Sequence, residues 1–252
     1  MVNTPHHLAI IMDGNRRWAH QRGWQVLRGH NQGAETLKII SSHAFKSGVR
    51  WMTVFAFSSQ NWSRQKAEVD GLMKLMRKFL ISNVSEMVSE NLKFRVIGRR
   101  DRLPEDVVDL IEKAEQQTNS NTGLNLTFAI DYGGQQEVAD AAKLLAEEVL
   151  QGIISTDEIN EDLLKSRMSS SMLPSIDLLI RTGGEYRVSN FMLWDLSYAE
   201  LHFSPVHWPD FNTVHLDKAL HAFATRERRF GGDVKTDAET EVINLPTKSR
   251  QK

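Results

Sequence analysis

Six short runs of apolar and β-branched residues, separated by stretches with helical spacing, constrain this chain more than any other feature. The runs cover residues 8–12, 51–57, 94–97, 124–130, 176–180 and 199–203. Between them, apolar residues recur at three- and four-residue intervals. Leu37, Ile40 and Ala44 share one face before Gly48; Val69, Leu72, Met73, Met76, Leu80 and Val84 make a broader stripe; Val138, Ala141, Ala142, Leu145 and Val149 stop before Gly152. Ser155 with Glu158 reads as a capping box for a short helix. Such alternation predicts an α/β domain with an open, mostly parallel central sheet of about six strands flanked by helices. The spacing assigns residues 1–232 to that single domain and residues 233–252, which are polar and aperiodic, to a flexible tail.

Composition narrows the partners. The 31 basic and 32 acidic residues leave a formal net charge of −1, so no global field argues for nucleic acid. The absence of cysteine excludes disulfides, thiolate metal sites and a thiol nucleophile. No apolar run approaches the roughly 18 residues of a membrane span, and the N-terminus lacks a basic-then-apolar signal pattern. A soluble cytoplasmic protein without a transmembrane segment is the expectation.

In open parallel sheets, ligands bind beyond the carboxyl ends of the strands. The first run delivers Asp13, Gly14, Asn15, Arg16 and Arg17; the second delivers Ser58, Ser59, Gln60, Asn61, Trp62 and Arg64; the run ending at Ile180 delivers Arg181, Thr182, Gly183, Gly184, Glu185, Arg187 and Ser189. A strand that turns through glycine into a helix aims backbone N–H groups and a positive helix end at one point, which suits phosphate. A carboxylate there can hold Mg²⁺, which is often shared with substrate phosphates. Five arginines on three loops suit phosphate-rich ligands. The chain has neither G-x-x-x-x-G-K-[ST] nor G-x-G-x-x-G after a strand, and no D-D-x-x-D run. A lone Asp13 would more often be a helix N-cap, a lone His30 a structural hydrogen bonder, and a lone Trp62 a packing residue.

Read together, the segments at 9–18 (AIIMDGNRRW), 29–33 (GHNQG), 55–64 (FAFSSQNWSR), 131–134 (DYGG), 180–191 (IRTGGEYRVSNF), 198–201 (YAEL), 208–211 (WPDF) and 226–232 (RERRFGG) resemble the cis-prenyltransferases of the undecaprenyl diphosphate synthase type, in the family's order. The resemblance implies condensation of isopentenyl diphosphate onto an allylic diphosphate, usually farnesyl diphosphate. The implied product is a long Z-polyprenyl diphosphate, the C55 lipid carrier for cell-wall synthesis. It implies that Asp13 organises Mg²⁺ and the allylic diphosphate, with Gly14, Asn15, Arg16, Arg17 and His30 cradling phosphates. Arg181, Arg187 and Ser189 would bind isopentenyl diphosphate, and Glu200 would complete the metal site. Trp18, Arg28, Ser58, Ser59, Gln60, Trp62, Arg64 and Val188 complete the implied substrate-binding set. Asn61, Asp13 and the departing pyrophosphate are all candidates to accept the proton. The helix over 69–84, with Leu124, would line a hydrophobic tunnel. Arg226, Arg228 and Arg229 would lie near a homodimer interface and the partner's site. The product would pass to the membrane, with the enzyme loosely associated there.

Several positions depart from the family pattern. Gln60 stands where Glu is usual, and Val26 where an Arg contacts the allylic diphosphate; Arg28 is the nearby cation. Asp131 replaces a common Asn, Gln135 a frequent Arg, and Arg99 a usual Asp. These departures leave two rivals: a paralogue making a short or irregularly coupled prenyl diphosphate, and a non-catalytic subunit of a prenyltransferase.

Overall fold

The apolar runs pair into one six-stranded sheet in the computed structural model, which describes residues 4–226. The elements follow in the order β1 (His7–Ile11), α1 (Asn15–Gln21), α2 (Val26–Lys46), β2 (Trp51–Ser58), α3 (Lys66–Ser89), β3 (Lys93–Ile97), α4 (Glu105–Thr118), β4 (Asn125–Tyr132), α5 (Gly134–Leu150), α6 (Glu161–Ser166), β5 (Leu178–Arg181), β6 (Glu200–Phe203) and α7 (Thr213–Ala224). The tail expected at 233–252, together with Arg228 and Arg229, lies outside the described residues.

The sheet order is β3-β4-β2-β1-β5-β6, and all five pairings are parallel. Parallel neighbours require long crossover connections, which the helices supply. All six strands fall within one or two residues of the expected runs. The fifth begins two residues late. The Ile176 N–H donates to the Asp195 carbonyl, and the Asp177 N–H donates to His7.

Strand residues alternate between two cores, as a sheet covered on both faces demands. Leu8 and Ile10 face α2, α3, α4 and α7 with Ile40, Leu80, Ile111 and Leu216. Ala9 and Ile11 face the opposite layer with Tyr132, Leu179, Phe191 and Met192. His7 is wholly buried in the sheet; its Nδ1 pairs with the Pro174 carbonyl at 2.7 Å and its Nε2 with Thr53 Oγ1 at 2.8 Å. Burial of the ring pushes its pKa down to about 4, despite the Pro174 hydrogen bond.

Two local expectations are refined. The Ser155–Glu158 pair caps a 3-10 turn over Thr156–Glu158, where the Ser155 N–H donates to Glu158 at 2.7 Å, while α6 is capped by Asn160. The helix α4, absent from the sequence expectations, starts after Pro104 and buries Val107, Ile111 and Ala114.

The strand order places the candidate site. The chain builds outward from β1 through β2, β3 and β4, then crosses to the other side of β1 for β5 and β6. The order therefore reverses at β1, and Asp13 follows its carboxyl end, where a ligand crevice opens in such sheets.

Candidate active site

Asp13 is the point where the two sides of the sheet meet. Gly14, at φ +106°, is the N-cap of α1, so Asp13 is not a cap. A side chain on Gly14 would also come within 2.6 Å of His207 Nδ1. The Asp13 carboxylate instead accepts from the Gly14 N–H at 2.6 Å and from Arg181 Nη2 at 2.9 Å, and pairs with Arg17 at 3.2 Å. Burial works to raise its pKa. The Arg181 hydrogen bond, the nearby charges and the Gly14 N–H outweigh that effect and hold the carboxyl below its usual range.

Arg181 is 5% exposed and is the anchor of the following loop. It donates to Ser189 Oγ at 2.7 Å and to the Arg187 carbonyl at 2.5 Å. Gly183, Gly184, Ser189 and Asn190 all have left-handed backbones, which curl the loop back over the strand end. Glu185 bridges the two outer cations, reaching Arg187 at 2.5 Å and Arg17 at 3.4 Å. Val188 packs against the core under this loop.

On the other side, a cavity of about 500 Å³ opens from the same crevice. Its mouth is polar, with Asp13, Gly14, Asn15, Arg16, Arg17, His30, Asn61 and Arg64; its depth is apolar, with Leu72, Leu75, Met76, Phe79 and Phe128. Glu68 organises the cations at the mouth. It accepts from Arg64 at 2.9 Å, pairs with Arg16 at 3.5 Å and lies 3.9 Å from His30. Burial is the main cause that drops His30 to about pKa 4, so the ring is neutral at pH 7. Among the described residues, buried polar atoms without a partner include Asn15 Oδ1, His30 Nε2, Arg181 Nε and His207 Nδ1. Their clustering around the strand end suits a polar ligand, because buried groups of this kind are otherwise paired.

Other expected residues sit further out. Ser58 accepts from the Gln60 N–H at 3.2 Å, and its own N–H donates to Asn61 Oδ1 at 3.1 Å, fixing the 3-10 turn Ser59–Ser63. Trp62 turns away from the cavity mouth: its Nε1 donates to Asp131 at 2.9 Å and its ring packs on Phe57. Trp18 is buried, donates to Asp210 at 2.7 Å and packs on Trp24. Arg28 stacks on Trp24 at 3.7 Å and lines a separate groove between α2 and α3. Glu200 begins β6, two strands from β1 and at the opposite end of the sheet, where it pairs with Arg226. Asp13 and Glu200 therefore do not meet within one chain. Leu124 is buried but does not line the cavity.

Two contributors, Glu68 and His207, escape the sequence reading of the site. Glu68 had one local signal, its place four residues after Arg64. His207 has no motif, and only its close approach to Gly14 from the far end of the sequence reveals it.

Among the described residues, no group of three or more His, Asp or Glu is placed to hold a metal unaided. One carboxylate beside a basic cradle nevertheless fits Mg²⁺. That ion keeps several waters and commonly takes one or two carboxylates plus substrate phosphates.

A parallel sheet whose first strand carries Asp-Gly-Asn-Arg-Arg over a half-polar, half-apolar cavity belongs to a prenyltransferase enzyme. The chain matches the family model described as putative undecaprenyl diphosphate synthase over residues 11–231, and it is a member of that cis-prenyltransferase family. It is 45% identical over 227 residues to an isoprenyl transferase of Geobacter sulfurreducens, covering 90% of this chain and 92% of the relative. It is 42% identical over 250 residues to the isoprenyl transferase of Brucella suis, covering 98% of each. Lavandulyl diphosphate synthase from Lavandula x intermedia, solved in complex with dimethylallyl diphosphate, matches with a TM-score of 0.88 and 41% identity over 90% of this chain and 98% of that one. A probable undecaprenyl diphosphate synthase from Campylobacter jejuni matches with a TM-score of 0.76 and 31% identity over 91% and 99%.

Proposed function

We propose that this enzyme condenses isopentenyl diphosphate with an allylic diphosphate, farnesyl diphosphate being the expected primer, in a Mg²⁺-dependent reaction. The proposed product is a long Z-polyprenyl diphosphate of the C55 type that serves as a cell-wall lipid carrier. The observation that carries this reading is the position of Asp13. It lies at the junction between an arginine cradle with an apolar cavity below it and a second arginine-anchored loop across the sheet. Two diphosphates would thus meet at one carboxylate. A 41% identical relative solved with dimethylallyl diphosphate supports the ligand class.

Each residue has a physical task in that reaction. Arg16, Arg17 and the N–H groups following Gly14 hold the allylic diphosphate, whose charge grows as the allylic C–O bond breaks. Arg181, Arg187 and Ser189 orient the isopentenyl diphosphate so that its double bond forms the new C–C bond. Bound Mg²⁺, held by Asp13 and diphosphate oxygens, would supply Lewis-acid neutralisation of the leaving group. The proton lost from the isopentenyl unit needs an acceptor. Asp13, held ionised by its arginines, is a weak base, and the Asn61 carboxamide is weaker still. The departing pyrophosphate is then the best acceptor.

A homodimer formed on the outer edge of β6, where Leu201 is exposed and the exposed Tyr186 packs on Phe203, is part of this proposal. No helix among the described residues is long and apolar enough to cross a membrane, so a long product would be handed to the bilayer by an enzyme that only touches it.

One observation favours a second reading, a short or irregularly coupled product: the cavity is small for a long chain. The deciding assay offers labelled isopentenyl diphosphate with dimethylallyl, geranyl or farnesyl diphosphate and sizes the products. Chelator and Asp13→Ala should each cut turnover by orders of magnitude with the fold intact. Near-normal turnover of folded Asp13→Ala would sink the assignment.

A further inference from the structure

The helix α5 starts without a cap of its own. Its N-cap is Gly133, which has no side chain, and its first two residues are Gly134 and Gln135. Their N–H groups are among those a helix cannot satisfy internally. One residue satisfies both. The Gly134 N–H donates to the Asn190 carbonyl and the Gln135 N–H to Asn190 Oδ1, each at 2.8 Å. Asn190 thus caps α5 from a loop 55 residues further along the chain. Two glycines admit it so closely. An added Cβ on Gly133 would lie 3.0 Å from Asn190 Nδ2, and one on Gly134 would lie 3.0 Å from the Leu193 backbone nitrogen.

Asn190 directly follows Ser189, and the backbone here is held in a costly shape. Ser189, Asn190 and Met192 have φ of +49°, +61° and +44°. Asn enters that region far more readily than Ser or Met. Such a conformation persists only where its surroundings fix it. Three contacts do so. Arg181 donates to Ser189 Oγ at 2.7 Å, the wholly buried Phe191 stacks on Phe55 with ring centroids 4.5 Å apart, and Asn190 bonds to α5. Ser189 itself remains exposed between them.

We propose that Asn190 is a positioning residue for the isopentenyl diphosphate subsite: by capping α5 it clamps the loop that presents Ser189 and Arg187. The proposal rests on the assignment of that diphosphate to the Arg181 loop. With the clamp in place, Ser189 is set beside Arg181 before the ligand arrives. Without it, the left-handed backbone relaxes and binding has to rebuild the loop, so affinity falls on this side. The allylic side, carried by β1, α1 and α3, is left as it was.

Asn190→Gly removes the side-chain acceptor and tolerates the positive φ. Asn190→Asp keeps an acceptor at the positive end of the helix. Steady-state kinetics with Mg²⁺, isopentenyl diphosphate and farnesyl diphosphate read the first variant. KM for isopentenyl diphosphate should rise at least roughly fivefold in Asn190→Gly, while KM for farnesyl diphosphate and kcat stay within about twofold of wild type. An unchanged KM for isopentenyl diphosphate overturns the proposal. Equal losses on both substrates, the mark of a general packing defect, overturn it too.

Hydrogen exchange on the free enzyme separates this idea from the reaction itself. The Gly134 and Phe191 N–H groups donate to the backbone carbonyls of Asn190 and Val188, which both variants retain. Faster exchange at these amides therefore reports release of the loop. Both should exchange at least roughly fivefold faster in Asn190→Gly and at the wild-type rate in Asn190→Asp. Unchanged exchange in Asn190→Gly, or no recovery in Asn190→Asp, overturns the clamp. If Asn190→Gly does not fold, Asn190→Ser, whose hydroxyl is one bond short of the Gln135 N–H, gives the same reading. If wild type incorporates no isopentenyl diphosphate, the proposed function fails and the exchange rates still decide Asn190.

Discussion

Replacing Asp131 with asparagine isolates one charge at the base of the active-site turn. Asp131, the last residue but one of β4, has no side-chain exposure and a backbone φ of +49°, a conformation that Asp and Asn both tolerate. Its carboxylate takes two hydrogen bonds from Arg102, one of them at 2.9 Å, and a third from Trp62 Nε1 at 2.9 Å. Arg102 also lies 5.7 Å from the Trp62 ring. Trp62 belongs to the turn that sets Asn61 in the cavity wall and leads into Arg64. The ion pair is therefore the anchor of that turn. Asparagine keeps one acceptor for Trp62 but turns an NH₂ toward Arg102, donor against donor. A hydrogen bond to a charged group is worth about 1.5–3 kcal/mol. Arg102 is 40% exposed and regains water, so the loss belongs near the lower end of that range. A cost of about 2 kcal/mol shifts the anchored-to-released ratio of the turn roughly 30-fold. Asp131→Asn should fold, exchange the amides of residues 59–64 faster by about that factor, and lower kcat/KM in proportion to the anchored fraction lost. Steady-state kinetics and hydrogen exchange on the same sample make the test. Asp131→Asn with kcat/KM within twofold of wild type and unchanged exchange would refute the anchor.

Two further outcomes are expected. His7, neutral in the fold with a pKa of about 4 against 6.5 when free, is protonated first in the unfolded chain. Stability is then full above the unfolded pKa, falls as pH drops through the window from 6.5 to 4, and levels below it. Its share of the loss is about 2 kcal/mol by pH 5, read by urea unfolding at pH 7.5 and 5; a folded-state His7 ring titrating near 6.5 by NMR would contradict it. Gly29 packs α2 so tightly on α1 that an added Cβ runs into the Asn15 carbonyl. Gly29→Ala should cost about 1–3 kcal/mol and weaken pyrophosphate binding by displacing Asn15; an unchanged melting temperature and affinity would count against that packing.

The strands were legible in the sequence because a parallel sheet covered on both faces needs short, unbroken apolar runs. The strand-end rule then carried Asp13, Arg17, Arg181 and Ser189 into one site before any coordinates. Helix faces were a different matter. Along α3 the same residue types serve two ends: Val69, Met73 and Leu80 are core, whereas Leu72, Leu75, Met76 and Phe79 face the cavity. Apolar periodicity marks a buried stripe but not what the stripe is buried against. The charged partners were hidden for a related reason. Arg28, near the motif in sequence, turns to Trp24 because α2 points it out of the crevice, while Glu68 reaches Arg16 from α3. Asp13 and Arg181 lie 168 residues apart and meet only because β5 returns to the side of β1 that β2 leaves open. The sequence by itself determined the strand–helix order and the phosphate-binding character of the strand ends, since both follow from local composition. The tertiary structure alone decided which charges pair and which residues of α3 face the cavity, since those depend on how the layers pack.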